Sequence, residues 1–477
     1  MNRLHPDTLE GLHAAVQLPA YDRSSVRPGI LHLGLGAFHR AHQAVFTEQA
    51  MAASGGDWGI IGVCMRSDRV AQQLKPQGNL YSVMSEAADG YALRVIGAIS
   101  DVLVAPQELD RVVEAIASPA ISIVTLTVTE KAYCLAADGK SLDRSDPVVS
   151  ADLAEPSQPS STVGMLALGL KRRLEDGGAP LTLISCDNLS ANGAKLESIL
   201  QDYLQSVFPE VLSWFKKSLA FPSSMVDRIV PAMTGEKKQQ QSDRLGLLDE
   251  GAVSTEPFMQ WIIEDNFAAD RPDWDSAGVL VVADILPYET IKLRLLNATH
   301  SAIAYVGLLA GLETVDQVMA DIGLRKFIEG LMAEDLMPAL EVPANFELED
   351  YRDALLVRFS NPCLGHRCQQ IAMDGSEKIR QRWLPTLQDN SHPEKLLKAL
   401  SAWCHFILCT DIPIEDPRGR QLRELRTGAE AIDKRLDAVL ACLRIVPDTL
   451  ADYFGVHKQI MQNLDILEEQ GVRQLLN

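Results

Sequence analysis

No stretch of the 477 residues stays apolar long enough to cross a bilayer. The longest runs, such as residues 279–282, are strand-sized and soon meet a charge. Cysteine is sparse too. Eight residues without framework spacing exclude a disulfide scaffold and predict reduced thiols in a cytoplasmic protein. Positive charge is in deficit: Lys and Arg number 44 against 64 Asp and Glu, for a net charge of −20. Such a surface repels a phosphate backbone and an anionic membrane, so neither nucleic acid nor membrane is an expected partner. Internal repeats at solenoid periods and low-complexity tracts are absent. Residues 1–12 carry Asp and Glu where a secretory signal needs an unbroken apolar core. What is present is a 47% hydrophobic, 23% charged chain, long enough for two or three cores.

Apolar strand-like runs occur at 29–33, 58–65, 120–128, 181–186 and 278–285, with helix-like stretches at 38–53, 163–174 and 191–207 between them. Strands alternating with helices predict a parallel, doubly wound sheet. Beyond residue 285 the period is helical, at 289–310, 313–335, 348–359, 393–408 and 428–443. The expected architecture is an α/β Rossmann-type domain over residues 1–284 and a mainly α-helical domain over 285–477. Pro156, Pro159 and residues 160–162 predict an exposed connection, and the polar run 237–241 a solvated one.

The first strand runs into Gly34-Leu35-Gly36, followed by Ala37-Phe38-His39-Arg40. Glycine suits a turn where the backbone must approach a pyrophosphate closely, and a following helix offers unpaired N–H groups to it. The third glycine of the dinucleotide fingerprint is replaced by His39, and a tight turn without ligand fits the same residues. After the second strand, Asp68 is the candidate acid for the adenosine ribose, favouring NAD over NADP; Arg66 and Arg69 beside it act the other way. A helix cap is the alternative role for Asp68. Its distance from Gly34 implies a long helix or an insertion between them.

The sharpest constellation is Lys292-x4-Asn297-x2-His300. At about 100° per α-helical residue, Asn297 lies near ~140°, His300 near ~80° and Glu289 near ~60° from Lys292, one face of an apolar helix. Oxidising an alcohol needs a base for the hydroxyl proton and donors for the alkoxide, which Lys and Asn can supply. A solvent-facing stripe with a core histidine fits equally well. Tyr288-x3-Lys292 imitates the pair of short-chain dehydrogenases, whose chains are about half as long and carry a different glycine pattern. Polar groups also end strand-like runs: residues 127–131 with Glu130, 185–188 with Asn188, and 224–228 with Asp227. Ligands bind at such strand ends, although caps and turns use the same residue types. The Cys363, His366, Cys368 spacing matches no zinc pattern, and no metal is expected.

Taken in order, residues 34–42, 127–131, 185–188, 226–230 and the Lys292/Asn297/His300 segment resemble the polyol-specific long-chain dehydrogenases, the mannitol dehydrogenase family, from about residue 28 to about residue 383. Glu256-Pro257-Phe258-x-Gln260-Trp261 and His366-Arg367-x-x-Gln370, with Lys378 beyond, are most similar to its hexuronate branch. The resemblance implies metal-independent, NAD-linked interconversion of a C2 alcohol and ketone, most closely D-mannonate and D-fructuronate. Lys292 would be the general base or acid, and Asn188 and Asn297 the oxyanion contacts. His300 would position the substrate. Asp227, Lys378, Arg367 and Gln370 would bind it, the cations facing its carboxylate, with Glu289 and Glu130 on a proton path. Mannitol-type members carry Arg where Gln370 stands here, and oxidation of mannitol or arabinitol is the alternative. A non-catalytic NAD-binding sensor is the remote one, and it need not keep the Lys–Asn–His set. A monomer and a homodimer are both compatible with the sequence.

Overall fold

The computed structural model describes residues 1–390 and 393–476, which form two compact units, Met1–Ile285 and Leu286–Asn477. No helix among the described residues is long and apolar enough to cross a membrane.

The first unit is built on twelve strands: β1 (Pro28–Leu33), β2 (Gly59–Cys64), β3 (Tyr81–Ala87), β4 (Gly90–Ile96), β5 (Ile99–Val104), β6 (Ile123–Leu126), β7 (Leu181–Ser185), β8 (Leu219–Ala220), β9 (Ser224–Asp227), β10 (Val253–Thr255), β11 (Gln260–Glu264) and β12 (Leu280–Val282). Six of them form a parallel sheet in the order β5-β2-β1-β6-β7-β8. In chain order this is 3-2-1-4-5-6, the dinucleotide-fold order, with its reversal between β1 and β6. Alternate strand residues serve two cores. Leu31, Leu33, Val124 and Leu183 pack with helices Leu109–Ala117, Thr162–Glu175 and Asn192–Val207. Ile30, Ile60, Ile123 and Ile184 pack with Gln43–Ser54 and with Trp261 and Trp274. Both faces are therefore covered, and the strands read as nearly continuous apolar runs.

Several expectations change. The run at 278–285 supplies only β12, which pairs with β11 in a separate β12-β11-β9 sheet. The helix expected over 38–53 breaks at His42 (φ −125, ψ −89) into Ala37–Ala41 and Gln43–Ser54. A hairpin, β3–β4, is inserted between β2 and β5 and joins β10. The run 237–241 lies in helix Gly235–Leu245, where fully buried Gln241 donates to the Ser82 carbonyl (3.1 Å) and hydroxyl (2.8 Å). Ser161 and Thr162 are buried too, Ser161 capping Thr162–Glu175 through the Gly164 N–H.

The second unit is helical, with no strand among its described residues. Its longest helices are Glu394–Cys409 and Tyr453–Gln470, and Trp383 and Trp403 are fully buried in its core. The helix expected over 289–310 is three segments: α over Leu286–Ile291, π over Lys292–Asn297, and α over Ala298–Leu309.

Gly34 has φ +101, and a Cβ there would stand 2.2 Å from the Thr127 carbonyl oxygen. Gly34→Ala is therefore expected to cost more than about 1 kcal/mol. A thermal melt checks this, and an unchanged midpoint would show that the turn reshapes freely.

Candidate active site

In the first unit, the turn after β1 faces the segment after β6. A cavity of ≈ 540 Å³ lies there, within the range of small-ligand sites. Its wall includes Gly34, Leu35, Gly36, Arg66, Thr127 and Thr129. The position is the switch point where open α/β sheets bind ligands. Behind the wall stands His32, fully buried on β1. Its Nε2 lies 3.2 Å from the Gly34 carbonyl and 2.9 Å from Thr127 Oγ1, and its Nδ1 lies 2.8 Å from Thr125 Oγ1. A carbonyl only accepts, so Nε2 carries the proton and Nδ1 accepts from Thr125. Burial pushes the imidazole pKa down to about 3, so the ring is neutral.

The remaining residues expected at the glycine turn point elsewhere. His39 is buried and stacked on His32, with ring centroids 3.4 Å apart. Phe38 stacks on His42. Ala37 is exposed beyond Gly36. Arg40 is buried, donating to the Gly251 and Gly36 carbonyls. These side chains shape the turn from behind, whereas the cavity wall uses Gly34, Leu35 and Gly36. Asp68 precedes helix Arg69–Leu74 without capping it. Its carboxylate accepts from Gln72 Nε2 at 2.8 Å, and Arg66 and Ser67, not Asp68, border the cavity.

Glu130 is exposed at the start of a 3₁₀ turn after β6, and Asn188 is exposed just beyond β7. Asp227 ends β9 and is buried. Its neighbour Arg228, also buried, donates to the Ala41 and Glu256 carbonyls, and so ties this strand end to the helix after the glycine turn.

In the second unit, Lys292 opens and Asn297 closes the π segment. The Ala298 N–H reaches the Leu293 carbonyl, five residues back. An i→i+5 bond widens the turn beyond the α value, so Asn297 comes closer to the side of Lys292 than α geometry predicts. Two side chains hold the junction where the helix returns to α. Arg382 Nη1 donates to the Asn297 carbonyl (3.1 Å) and Ser301 Oγ (2.8 Å), and Trp383 Nε1 donates to the Ala298 carbonyl (3.1 Å). Burial lowers the Arg382 pKa to about 10. Nothing in the sequence pattern signalled Arg382, because its task is to bond a backbone irregularity.

His300, half-buried, lies against Phe359 (4.9 Å) and edge-on to His366 (5.0 Å). Burial first, then His366, Arg358 and Arg382, hold its pKa well below the usual histidine value. His366 is lowered likewise, by burial, Arg358 and Lys378. Lys378 is half-buried 3.7 Å from Asp374, and burial and Arg382 lower its pKa. Arg367 and Gln370 are exposed at the start of and within helix Cys368–Ala372, and Glu289 is half-buried in Leu286–Ile291. Two guanidinium groups, of Arg358 and Arg382, thus act on His300.

The descriptions "Mannitol dehydrogenase Rossmann domain" and "Mannitol dehydrogenase C-terminal domain" match residues 28–276 and 284–468. The chain belongs to the mannitol dehydrogenase family. It is an oxidoreductase of that family, acting on CH–OH groups. It is 38% identical to the D-mannonate oxidoreductase of Escherichia coli (strain K12), over 98% of this chain and 99% of that protein. It is also 38% identical to an uncharacterized oxidoreductase, YeiQ, of the same organism, over 94% and 98%. Among solved structures, the Pseudomonas fluorescens mannitol 2-dehydrogenase in ternary complex with NAD and D-mannitol matches at 33% identity, covering 99% of this chain and 98% of that one with a TM-score of 0.81.

Arg382→Leu would leave the Asn297 carbonyl and Ser301 hydroxyl without this donor, at an expected cost of about 1–3 kcal/mol. Amide exchange over residues 292–298 should accelerate. Unchanged protection there would mean that the π turn holds itself.

Proposed function

We propose that this member of the family is an NAD(H)-linked reductase of a sugar acid, interconverting D-mannonate and D-fructuronate at C2. One observation carries the choice of an acid: the Arg358 and Arg382 guanidinium groups act on His300, and cationic surroundings favour an anionic substrate. The likeness to D-mannonate oxidoreductase agrees with it, as does Gln370 by the sequence resemblance. The match to a solved mannitol 2-dehydrogenase favours the second reading, oxidation of a neutral polyol such as mannitol or arabinitol.

The cavity suits a dinucleotide. A turn whose Gly34 admits no Cβ lies against an open wall after β6, at the switch point of the sheet. NAD supplies the hydride acceptor, and the chain handles the proton and the charge. In the oxidative direction Lys292 Nζ takes the hydroxyl proton of the C2 alcohol, and in reduction it returns it. The amide of Asn297 donates to the oxygen as charge develops on it, the role that the resemblance also gives to Asn188. His300, kept neutral, hydrogen-bonds and orients the substrate. Asp227 accepts from distal hydroxyls, with Gln370 as a further polar contact. Arg367 and Lys378 face the carboxylate, and Glu289 and Glu130 relay the proton to solvent. No step requires a metal. The domain division behind this reading is a dinucleotide-binding part, residues 1–284, and a substrate part, residues 285–477.

Following NADH consumption with D-fructuronate and D-fructose in parallel decides between the two readings. Turnover of fructuronate alone is expected, and turnover of fructose alone would move the enzyme to the polyols. Lys292→Ala is expected to lower kcat at least about 100-fold while NADH still binds. Near-normal turnover would remove Lys292 from the proton transfer. Asp68→Ala should narrow the preference for NADH over NADPH. An unchanged ratio would assign the ribose contact to Ser67 or Arg66.

A further inference from the structure

Thr129 lies at the cavity wall with φ 75 and ψ 154, a conformation that glycine adopts readily and a β-branched residue rarely does. A side chain from the neighbouring strand end holds it there. The Asp187 carboxylate, just past β7, accepts from the Val128 N–H at Oδ2 (3.1 Å) and from the Thr129 N–H at Oδ1 (3.0 Å). Tyr133, fully buried, donates its hydroxyl to the same Oδ2 at 2.8 Å and lies 2.5 Å from Ser185 Oγ. A carboxylate with one oxygen on each of two successive N–H groups fixes that backbone as a pair of charge-assisted bonds. The consequence reaches the glycine turn. Thr127, one residue before the clamped pair, donates Oγ1 to the Gly34 carbonyl at 2.9 Å, and its own carbonyl is the atom that forbids a side chain at Gly34.

We propose that Asp187 is a positioning residue for the dinucleotide: by holding the Val128 and Thr129 amides it imposes the left-handed turn at Thr129, and with it the shape of the wall opposite Gly34–Gly36. The inference rests on the dinucleotide reading of that cavity. Asp187 touches no substrate in this account and acts through the backbone. The strain at Thr129 gives a test that general destabilisation would not mimic, because glycine at 129 adopts the turn without being forced into it.

The measurement is the NADH dissociation constant, by fluorescence titration of the full chain, in a cycle of Asp187→Asn and Thr129→Gly. Asp187→Asn replaces one accepting oxygen by an amide that faces a donor. It is expected to weaken NADH binding about tenfold with Thr129 present, and less than about threefold in the Thr129→Gly background, a coupling of the kind such cycles resolve. KM for the sugar substrate at saturating NADH should move less than the NADH constant. Should Asp187→Asn not fold, Asp187→Glu, which keeps the charge and displaces the oxygens by a methylene, takes its place with the same expectation. An unchanged NADH constant, or equal losses with Thr and Gly at 129, would overturn the role of Asp187 while leaving the dinucleotide reading standing. Failure of the unaltered protein to bind either NADH or NADPH would overturn both.

Discussion

The first unit depends on one buried imidazole. His32 joins the ends of β1 and β6 by bonding Thr125, Thr127 and the Gly34 carbonyl together. These two strands are where a doubly wound sheet reverses its order, so their ends diverge and open a crevice. An apolar residue at 32 would pack in the sheet but leave the Gly34 carbonyl without this donor. Burial costs the ring its charge, and neutrality is what the arrangement needs: one nitrogen donates and the other accepts, in fixed directions. The crevice is thereby held open by hydrogen bonds that neither salt nor pH near neutrality disturbs.

The smaller sheets make sense as supports for that turn. The helix after Gly36 is only five residues long and breaks at His42, so its own hydrogen bonds cannot fix it. Arg40 reaches back to the Gly251 carbonyl, just before β10, and Tyr81 on β3 donates to the Arg40 carbonyl at 2.8 Å. Arg228, after β9, grips the Ala41 carbonyl. Fully buried Asp249 in turn holds the Ser82 N–H and hydroxyl, both at 2.6 Å. Each guanidinium is buried against carbonyl oxygens, which help to spread its charge. Arginine, not lysine, suits this task, because its fork of donors serves two carbonyls at once.

The parts of this structure legible in the sequence are those set by periodicity. The apolar runs at β1, β2, β6 and β7 stand out because both faces are buried, and Leu348–Phe359 ends where its helical period ends. The hairpin β3–β4 carries its own signal, Asp89-Gly90 between strand-like runs, which lies outside the βα alternation. β8 and β12 are two and three residues long, too short to show a period. At the candidate site, Gly34, Gly36, Lys292, Asn297 and His300 stood out as residue types in a spacing. His32, Asp187, Arg382 and Trp383 did not, because each serves backbone atoms, and no spacing in the chain records which carbonyl or amide needs a partner. The side chains of His39 and Arg40 show a related limit: proximity to a glycine turn in sequence does not tell which side of the turn a side chain takes.

Among the positive-φ residues and π segments of the described chain, which also include Cys134, Ala191 and a π stretch at Leu331–Leu336, one of each kind sits beside residues that the chemistry would use. A β-branched Thr129 occupies a glycine conformation at the wall of the cavity, and a helix changes from i→i+4 to i→i+5 bonding between Lys292 and Asn297. Neither would persist by itself, since strained φ values and π turns are disfavoured against regular alternatives. Each is held by donors or acceptors brought from another element: the Asp187 carboxylate for the first, the Arg382 guanidinium and Trp383 indole for the second. Polar side chains of this size, partly or wholly withdrawn from water, are an expensive way to satisfy ordinary backbone.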